Sequence, residues 1–229
     1  MKKLSVLSFL FFFMSCTEAP KKIKRTEKKV QVKQKIEKKK LLLENPMFYL
    51  DEKTAIPFLF EYQKKNKESK IRISTKYGNI DIQLFDDTPY HRANFIYLTK
   101  IGYFNDTFFH RVVPNFVIQG GNSDHSKTWS KRRKIGRYLL PQDNKKGHRH
   151  DRGIISIPSS EEDNPHKLAS PFEFFIVQQI GGAYHLDKDF TPFGKVIKGM
   201  NVVDKICAQP IDDRENPMKN IIIQVTIID

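Results

Sequence analysis

Arg111 and Gln119 are the side chains of this 229-residue chain best placed to do chemistry. They lie in the segment Phe108-Phe109-His110-Arg111-Val112-Val113-Pro114-Asn115-Phe116-Val117-Ile118-Gln119-Gly120-Gly121. A guanidinium is permanently charged, planar and rich in donors, so it suits hydrogen bonding to an atom on which electron density builds. Taken singly, both residues have plainer readings. Arg111 could be a surface-edge arginine stacked on a ring, and Gln119-Gly120-Gly121 a strand end and turn. Other groups are weaker candidates. His148, Arg149, His150 and Asp151 place two histidines at i, i+2 on a Gly-flanked loop, a pattern expected to be solvated rather than to hold a metal. Lys127 to Lys134, with Trp129, could stack a base or a substrate side chain, but is expected to be a basic, partly packed loop. Cys16 and Cys207 allow one bridge at most, and no Cys or His group has zinc-ligand spacing. No metal and no cofactor is expected.

The elements that must position Arg111 and Gln119 read as strands. Ile71, Ile73 and Thr75 alternate with Arg72, Ser74 and Lys76; after a turn at Tyr77, Gly78 and Asn79, Ile80, Ile82 and Leu84 alternate with Asp81 and Gln83, which predicts a hairpin. Thr88 and Pro89 give a helix N-cap and first position, with the helix ending before Gly102. Further strands are expected at 108–113, 116–119, 153–157, 172–177, 193–197 and 221–228, and a second helix from about Met200 to Cys207. Eight short strands, two helices and no regular β-α alternation predict a mainly β fold, a closed antiparallel barrel rather than a doubly wound parallel sheet.

The formal net charge is +14, and net charge speaks to association rather than to fold. Its position along the chain is informative. Met1, Lys2 and Lys3 precede an apolar run from Leu4 to Met14, which reads as an export signal over 1–15 and is far shorter than the ~20 residues of a membrane-spanning helix. From Thr17 to Lys40 there are 11 Lys and Arg against three Asp and Glu, a net of +8 with no aromatic residue for a base to stack on. Nucleic acid is therefore not an expected partner. Residues 16–69 read as a basic tether followed by a docking segment, in which a short helix near Pro57 turns an aromatic face to the domain that follows. Cys207 reads as a small buried hydrophobe on a helix.

Residues 70–229 resemble the cyclophilin peptidyl-prolyl isomerases. The segment around Arg111 is similar to that family's signature, and Gly153-Ile154-Ile155-Ser156-Ile157, Glu173-Phe174-Phe175-Ile176, Leu186-Asp187 and Phe193-Gly194-Lys195-Val196-Ile197-Lys198-Gly199 follow in the family's order. The resemblance implies an eight-stranded barrel closed by two helices. It implies that Arg111 faces the prolyl nitrogen, that Gln119 and the backbone around Ser159 hold the substrate's carbonyl and amide groups, and that Phe116, Val117, Phe175, Leu186 and Phe190 line the proline pocket. The chain departs from the family at several positions. Glu173 replaces Gln and is expected to pair with Arg111 and orient it. His185 replaces the Trp of cyclosporin-sensitive members, Pro158-Ser159 replaces Ala-Asn, and Phe190 replaces His or Tyr. Phe13-Met14-Ser15-Cys16 resembles a bacterial lipobox, with Cys16 the lipidated residue.

These features predict a monomeric isomerase of X-Pro bonds acting on proline-containing polypeptides. It is expected in the cell envelope, lipid-anchored on the non-cytoplasmic side of a bacterial membrane, or alternatively secreted or periplasmic. A non-catalytic proline-peptide binding module on the same tether is the alternative. Arg111 separates the two, because pure binding needs the apolar pocket more than a nitrogen-facing donor.

Overall fold

Proline at the third position of a short amphipathic run and a pair of aromatics four residues apart produce the first helix, α1 (Ala55–Lys65). The computed structural model describes residues 49–159 and 164–228; the expected signal, Cys16 and the basic tether lie outside the described residues. In chain order there follow β1 (Lys70–Thr75), β2 (Gly78–Leu84), α2 (Pro89–Lys100), β3 (Phe108–Val113), β4 (Val117–Asn122), α3 (Ser126–Ile135), β5 (Ile154–Ile157), β6 (Phe174–Val177), β7 (Thr191–Lys198), α4 (Met200–Cys207), β8 (Ile221–Ile222) and β9 (Gln224–Ile227). Phe58 and Tyr62 of α1 meet the ring of Tyr97 on α2 at 4.9 and 5.6 Å.

The strands form one antiparallel sheet in the order β8-β3-β4-β6-β5-β7-β2-β1-β9. The predicted hairpin is β1 and β2, with Ile71 opposite Ile82 and Ile73 opposite Ile80. Nine strands replace the expected eight because the last run changes partner in its middle. Ile221 and Ile222 pair with β3, while residues 224–227 pair with β1. Between them the Ile223 N–H donates to Thr107 O and Ile223 O accepts from the Asp106 N–H. Adjacent in sequence, β8 and β9 stand at opposite ends of the sheet, so this run closes the barrel. Ile221, Ile223 and Val225 are all buried, so the side-chain alternation runs unbroken through the switch and gives no sign of it.

Four α-helices are present among the described residues where two were expected for the barrel. Val202, Val203, Ile206 and Cys207 form the buried stripe of α4, at the spacing an amphipathic helix requires, and Cys207 is buried as expected. Helix α3 corrects the expectation of a loop at Lys127 to Lys134. Only Thr128 and Ile135 are buried in it, too few to show a helical period. It is held by cations instead. Lys131 Nζ donates to the carbonyls of Gly102 and Asn105, both at 2.8 Å, and Arg132 lies over the Phe172 ring at 5.3 Å. The expected cap of α2 is also different, since the Thr88 hydroxyl makes no capping bond to it.

The core lies inside the barrel and under α2. Phe95 stacks on Phe104 at 4.6 Å and meets Phe174 edge-on at 5.5 Å. Gly120 is required here, because a Cβ at that position would stand 2.9 Å from the Phe174 ring and 3.1 Å from Phe109.

Candidate active site

A β-bulge aims Arg111. Phe109 and Val112 are both buried although three residues apart, which a regular strand of period two cannot arrange. The register resolves this. Phe109 pairs with Gly120 and Arg111 with Gln119, so His110 is the extra residue and Arg111 is turned to the face opposite Phe109. Gln119 in turn pairs with Phe175, and Phe175 with Ser156. Residues directly opposite in antiparallel strands share a face, so Arg111, Gln119, Phe175 and Ser156 form one row across four strands. The next row on that face is Val113, Val117 and Val177.

These rows bring the predicted apolar residues together. Val117, Phe175, Val177, Ile154 and Ala183 form a buried cluster, against which Phe116, Leu186 and Phe190 pack, together with Phe85 and Val113. Phe116 comes from the β3–β4 turn, in which Asn115 takes a left-handed φ of 55°. Leu186 and Phe190 come from the 3₁₀ turn Tyr184–Leu186 and the residues after it. Phe175 and Phe190 meet edge-on at 5.6 Å, and His185 stacks on Phe116 at 5.4 Å. Ser159 is not in this cluster. It follows β5 and pairs with Ala169.

The expected Arg111–Glu173 pair is absent. Arg111 Nε donates to Glu215 Oε2 at 2.7 Å, an ion pair whose members are 40% and 38% exposed. Glu215 reaches this position because its carbonyl accepts from the Val112 N–H, which ties its loop to β3. The loop is itself folded around Asp212, whose carboxylate accepts from the N–H groups of Arg214 and Asn216. Glu173 has other partners. It accepts from Gln119 Nε2 at 2.9 Å and Arg132 Nη2 at 3.3 Å, and His110 Nε2 lies 3.6 Å away. Burial acts to raise the Glu173 pKa, but His110, the Arg132 charge and the Gln119 amide outweigh it and hold the carboxyl below its ordinary range.

His150 corrects the expectation of a solvated loop histidine. It is fully buried behind the pocket, its ring parallel to Phe175 at 6.0 Å. Nδ1 lies 2.8 Å from Asp187 Oδ1 and Nε2 3.1 Å from Ser156 Oγ. Desolvation lowers its pKa despite the carboxylate, so the ring is neutral, with Nδ1–H donating to Asp187 and Nε2 accepting from the Ser156 hydroxyl. His148 stacks on Phe85 at 4.0 Å and pairs with Asp87. In all, the site offers a half-exposed guanidinium beside a primary amide, at the rim of a pocket of aliphatic and aromatic side chains. That arrangement can seat an apolar ring and direct hydrogen-bond donors at the atoms beside it.

Three site residues had not been singled out from the sequence: His110, Arg132 and Glu215. His110 stood inside the quoted segment, where the odd spacing of Phe109 and Val112 marks a bulge. Arg132 stood in the basic run, and Glu215 carried no motif.

Comparison with known proteins agrees with this geometry. The family model for cyclophilin type peptidyl-prolyl cis-trans isomerase/CLD matches residues 70–227. A peptidyl-prolyl cis-trans isomerase-like 2 from Rhizopus delemar is 38% identical over 167 residues, 72% of this chain, which spans only 30% of that relative's length. A peptidyl-prolyl cis-trans isomerase from Acinetobacter baylyi is 31% identical over 167 residues, covering 69% of this chain and 86% of its own length. The crystal structure of a Cryptosporidium parvum cyclophilin type isomerase, 28% identical, matches with a TM-score of 0.59 over 71% of this chain and 98% of its own. The same protein, solved in the presence of the dipeptide ala-pro, matches with a TM-score of 0.58. With the barrel, the apolar pocket and the arginine at its rim, these matches establish that the chain belongs to the cyclophilin-type peptidyl-prolyl cis-trans isomerase family.

Proposed function

We propose that the chain catalyses cis-trans isomerisation of X-Pro bonds in polypeptides exported from the cytoplasm, and that it works from an acyl anchor on Cys16. The observation that carries the catalytic reading is the cross-strand row, which sets Arg111 and Gln119 at the edge of the apolar cluster. An X-Pro bond resists rotation by about 18–20 kcal/mol because of amide resonance. As the bond twists, the prolyl nitrogen becomes pyramidal and its lone pair can accept a hydrogen bond. Arg111 supplies that donor without a proton transfer, Phe116, Val117, Phe175, Leu186 and Phe190 grip the ring, and the Gln119 amide holds a neighbouring peptide group. The free structure keeps Gln119 on Glu173, so substrate has to exchange one acceptor for another.

The anchor reading rests on sequence. A charged start, a short apolar run and Ser15 before Cys16 suit export and lipidation. A single acyl chain binds a membrane only marginally, and each Lys or Arg near an anionic leaflet adds about 1 kcal/mol, so the basic run at 17–40 would supply the second signal. The test has two parts. Exchange spectroscopy on an X-Pro peptide with the full chain reads the isomerase activity, and the absence of any rate enhancement would refute it. Mass spectrometry of the chain from a bacterial membrane fraction reads the anchor; an unmodified Cys16 in a soluble fraction refutes that half alone.

Glu215 enters this mechanism as a positioning residue. Its bond to Nε leaves the two terminal nitrogens of Arg111 for substrate, and a charged acceptor holds the guanidinium about twice as strongly as a neutral one. Glu215→Gln is expected to lower kcat roughly five- to tenfold with KM changed less than about twofold, because orientation matters most at the twisted state. Faster turnover in that variant would mean that Glu215 sequesters Arg111 instead.

A further inference from the structure

We propose that the cavity beside His110 is a second substrate subsite, which takes an aromatic side chain of the same polypeptide whose proline occupies the apolar pocket. The proposal rests on the isomerase reading above and extends it to residues flanking the proline. The cavity has a volume of about 530 Å³, within the range of pockets that hold small molecules. It is bordered by Phe108, Trp129 and Pro217 and by the amides of Asn122, Asn216 and Asn220, with His110 between them and the catalytic row.

Its place relative to Arg111 follows from chain connectivity. His110 directly precedes Arg111 in β3, and Asn216 directly follows Glu215. Arg111 and Glu215 are joined by the 2.7 Å hydrogen bond. Since consecutive Cα atoms are about 3.8 Å apart, the cavity begins one residue from both members of that pair. The proline pocket lies toward the other end of β3, where Val113 and Phe116 pack on the cluster. A polypeptide with its proline ring in the cluster and its amide at Arg111 therefore reaches the cavity within a few residues, at about 3.3–3.6 Å of advance for each.

The lining specifies what fits. Although the chain carries a net charge of +14, the residues around the cavity include no Lys or Arg, and the single carboxylate is Asp124. A phosphate-bearing ligand finds no countercharge there. Trp129, the chain's one tryptophan, is 58% exposed on an otherwise basic helix. An indole left half in water beside a concave surface is the kind of group that contributes most to recognition of another aromatic ring. Asn122 Oδ1 already accepts from the Ser123 N–H and Asn216 Nδ2 already donates to Asp212, which leaves the Asn122 amino group as a donor, the Asn216 carbonyl as an acceptor and the Asn220 amide as both, the mixture that the backbone of an extended peptide needs. The sequence alone left Trp129 on a basic, partly packed loop that could stack a base or a substrate side chain, and the fold sets it on α3 at the cavity that His110 also borders.

The test uses the full chain and a four-residue X-Pro peptide lengthened by four residues at one end or the other. The added residues contain either one phenylalanine or only glycine and serine. The expected result is a KM about tenfold lower for one phenylalanine-bearing extension than for its glycine-serine counterpart, with a shift in Trp129 emission as that peptide is titrated. In Trp129→Ala the ratio of the two KM values should fall to about one. Equal KM values in the wild-type chain, a ratio that survives in Trp129→Ala, or an emission unchanged by saturating long peptide would each overturn the subsite. Failure to isomerise every peptide, the four-residue one included, counts against the isomerase reading instead, and the emission titration then still decides the subsite.

Discussion

Arg111→Ala lowers kcat on a short X-Pro peptide by a hundredfold or more. A hundredfold is about 2.7 kcal/mol at 1.36 kcal/mol per tenfold, the usual loss when one preorganised donor aimed at developing electron density is removed. The variant should fold normally, because Arg111 is half-exposed and its guanidinium is not part of the apolar cluster. Glu215, left without its partner, is 38% exposed and can be solvated. Arg111→Lys should be nearly as slow, since an ammonium keeps the charge but loses the planar fork that lets one nitrogen bond Glu215 while others face substrate. Exchange spectroscopy at equal enzyme concentration measures this. A rate within threefold of wild type for Arg111→Ala would remove Arg111 from the mechanism and leave catalysis to the apolar pocket and Gln119.

The second large effect is on stability, and it comes from the core under the barrel. His91 on α2 is completely buried, and neither ring nitrogen has a hydrogen-bond partner among the described residues. Burial pushes its pKa down to about 3 from the ordinary 6.5. The sign follows from which state takes the proton. Below pH 6.5 the unfolded chain protonates His91 while the folded chain does not, so the unfolded state binds more protons and stability falls as pH falls toward 3. Each pH unit in that window costs about 1.4 kcal/mol, which gives roughly 2 kcal/mol between pH 7.5 and pH 5. His150, also held low by burial, adds a loss of the same sign. Urea unfolding at the two pH values should show the drop, and His91→Leu should reduce it by about that amount. Parallel pH dependences in the two proteins would show that His91 is not the responsible group.

Much of the barrel could be read from residues whose alternation reports directly on a face. Ile71, Ile73, Ile80 and Ile82 are all buried, as their period of two requires. Phe116, Val117, Phe175, Leu186 and Phe190 pack in one cluster, and their grouping was legible from their order in a family pattern rather than from their own periodicity. What could not be read depends on contacts made across long stretches of chain. Glu215 meets Arg111 only because the loop after α4 folds back on β3, and nothing local to either residue encodes that meeting. The expected Glu173 partner is a carboxylate just before β6, two strands from β3, and Gln119, Arg132 and His110 already occupy it. Helix α3 escaped for a different reason. Its side chains bind carbonyls and rings through Lys131 and Arg132, and charged residues carry no hydrophobic period to detect.

The change of partner at Ile223 has a kinetic consequence. Strand β3, which carries Arg111, has β4 on one side from a tight turn, and among the described residues its other edge is covered by Ile221 and Ile222 and, at Val112, by the Glu215 carbonyl. Strand β1 likewise waits for β9, with Ile71 opposite Ile227. Both edges therefore stay open during synthesis until residues 221–227 have been made, and joining partners so distant in sequence belongs to the slow class of folding events. An open edge is also where a chain in transit pairs with the wrong neighbour. The loop bearing Glu215 lies between α4 and β8, so the partner of Arg111 is synthesised only just before the run that closes the barrel. Copies not yet extended past α4 would thus carry the apolar cluster and Arg111 without the Glu215 carboxylate that holds the guanidinium in the finished fold.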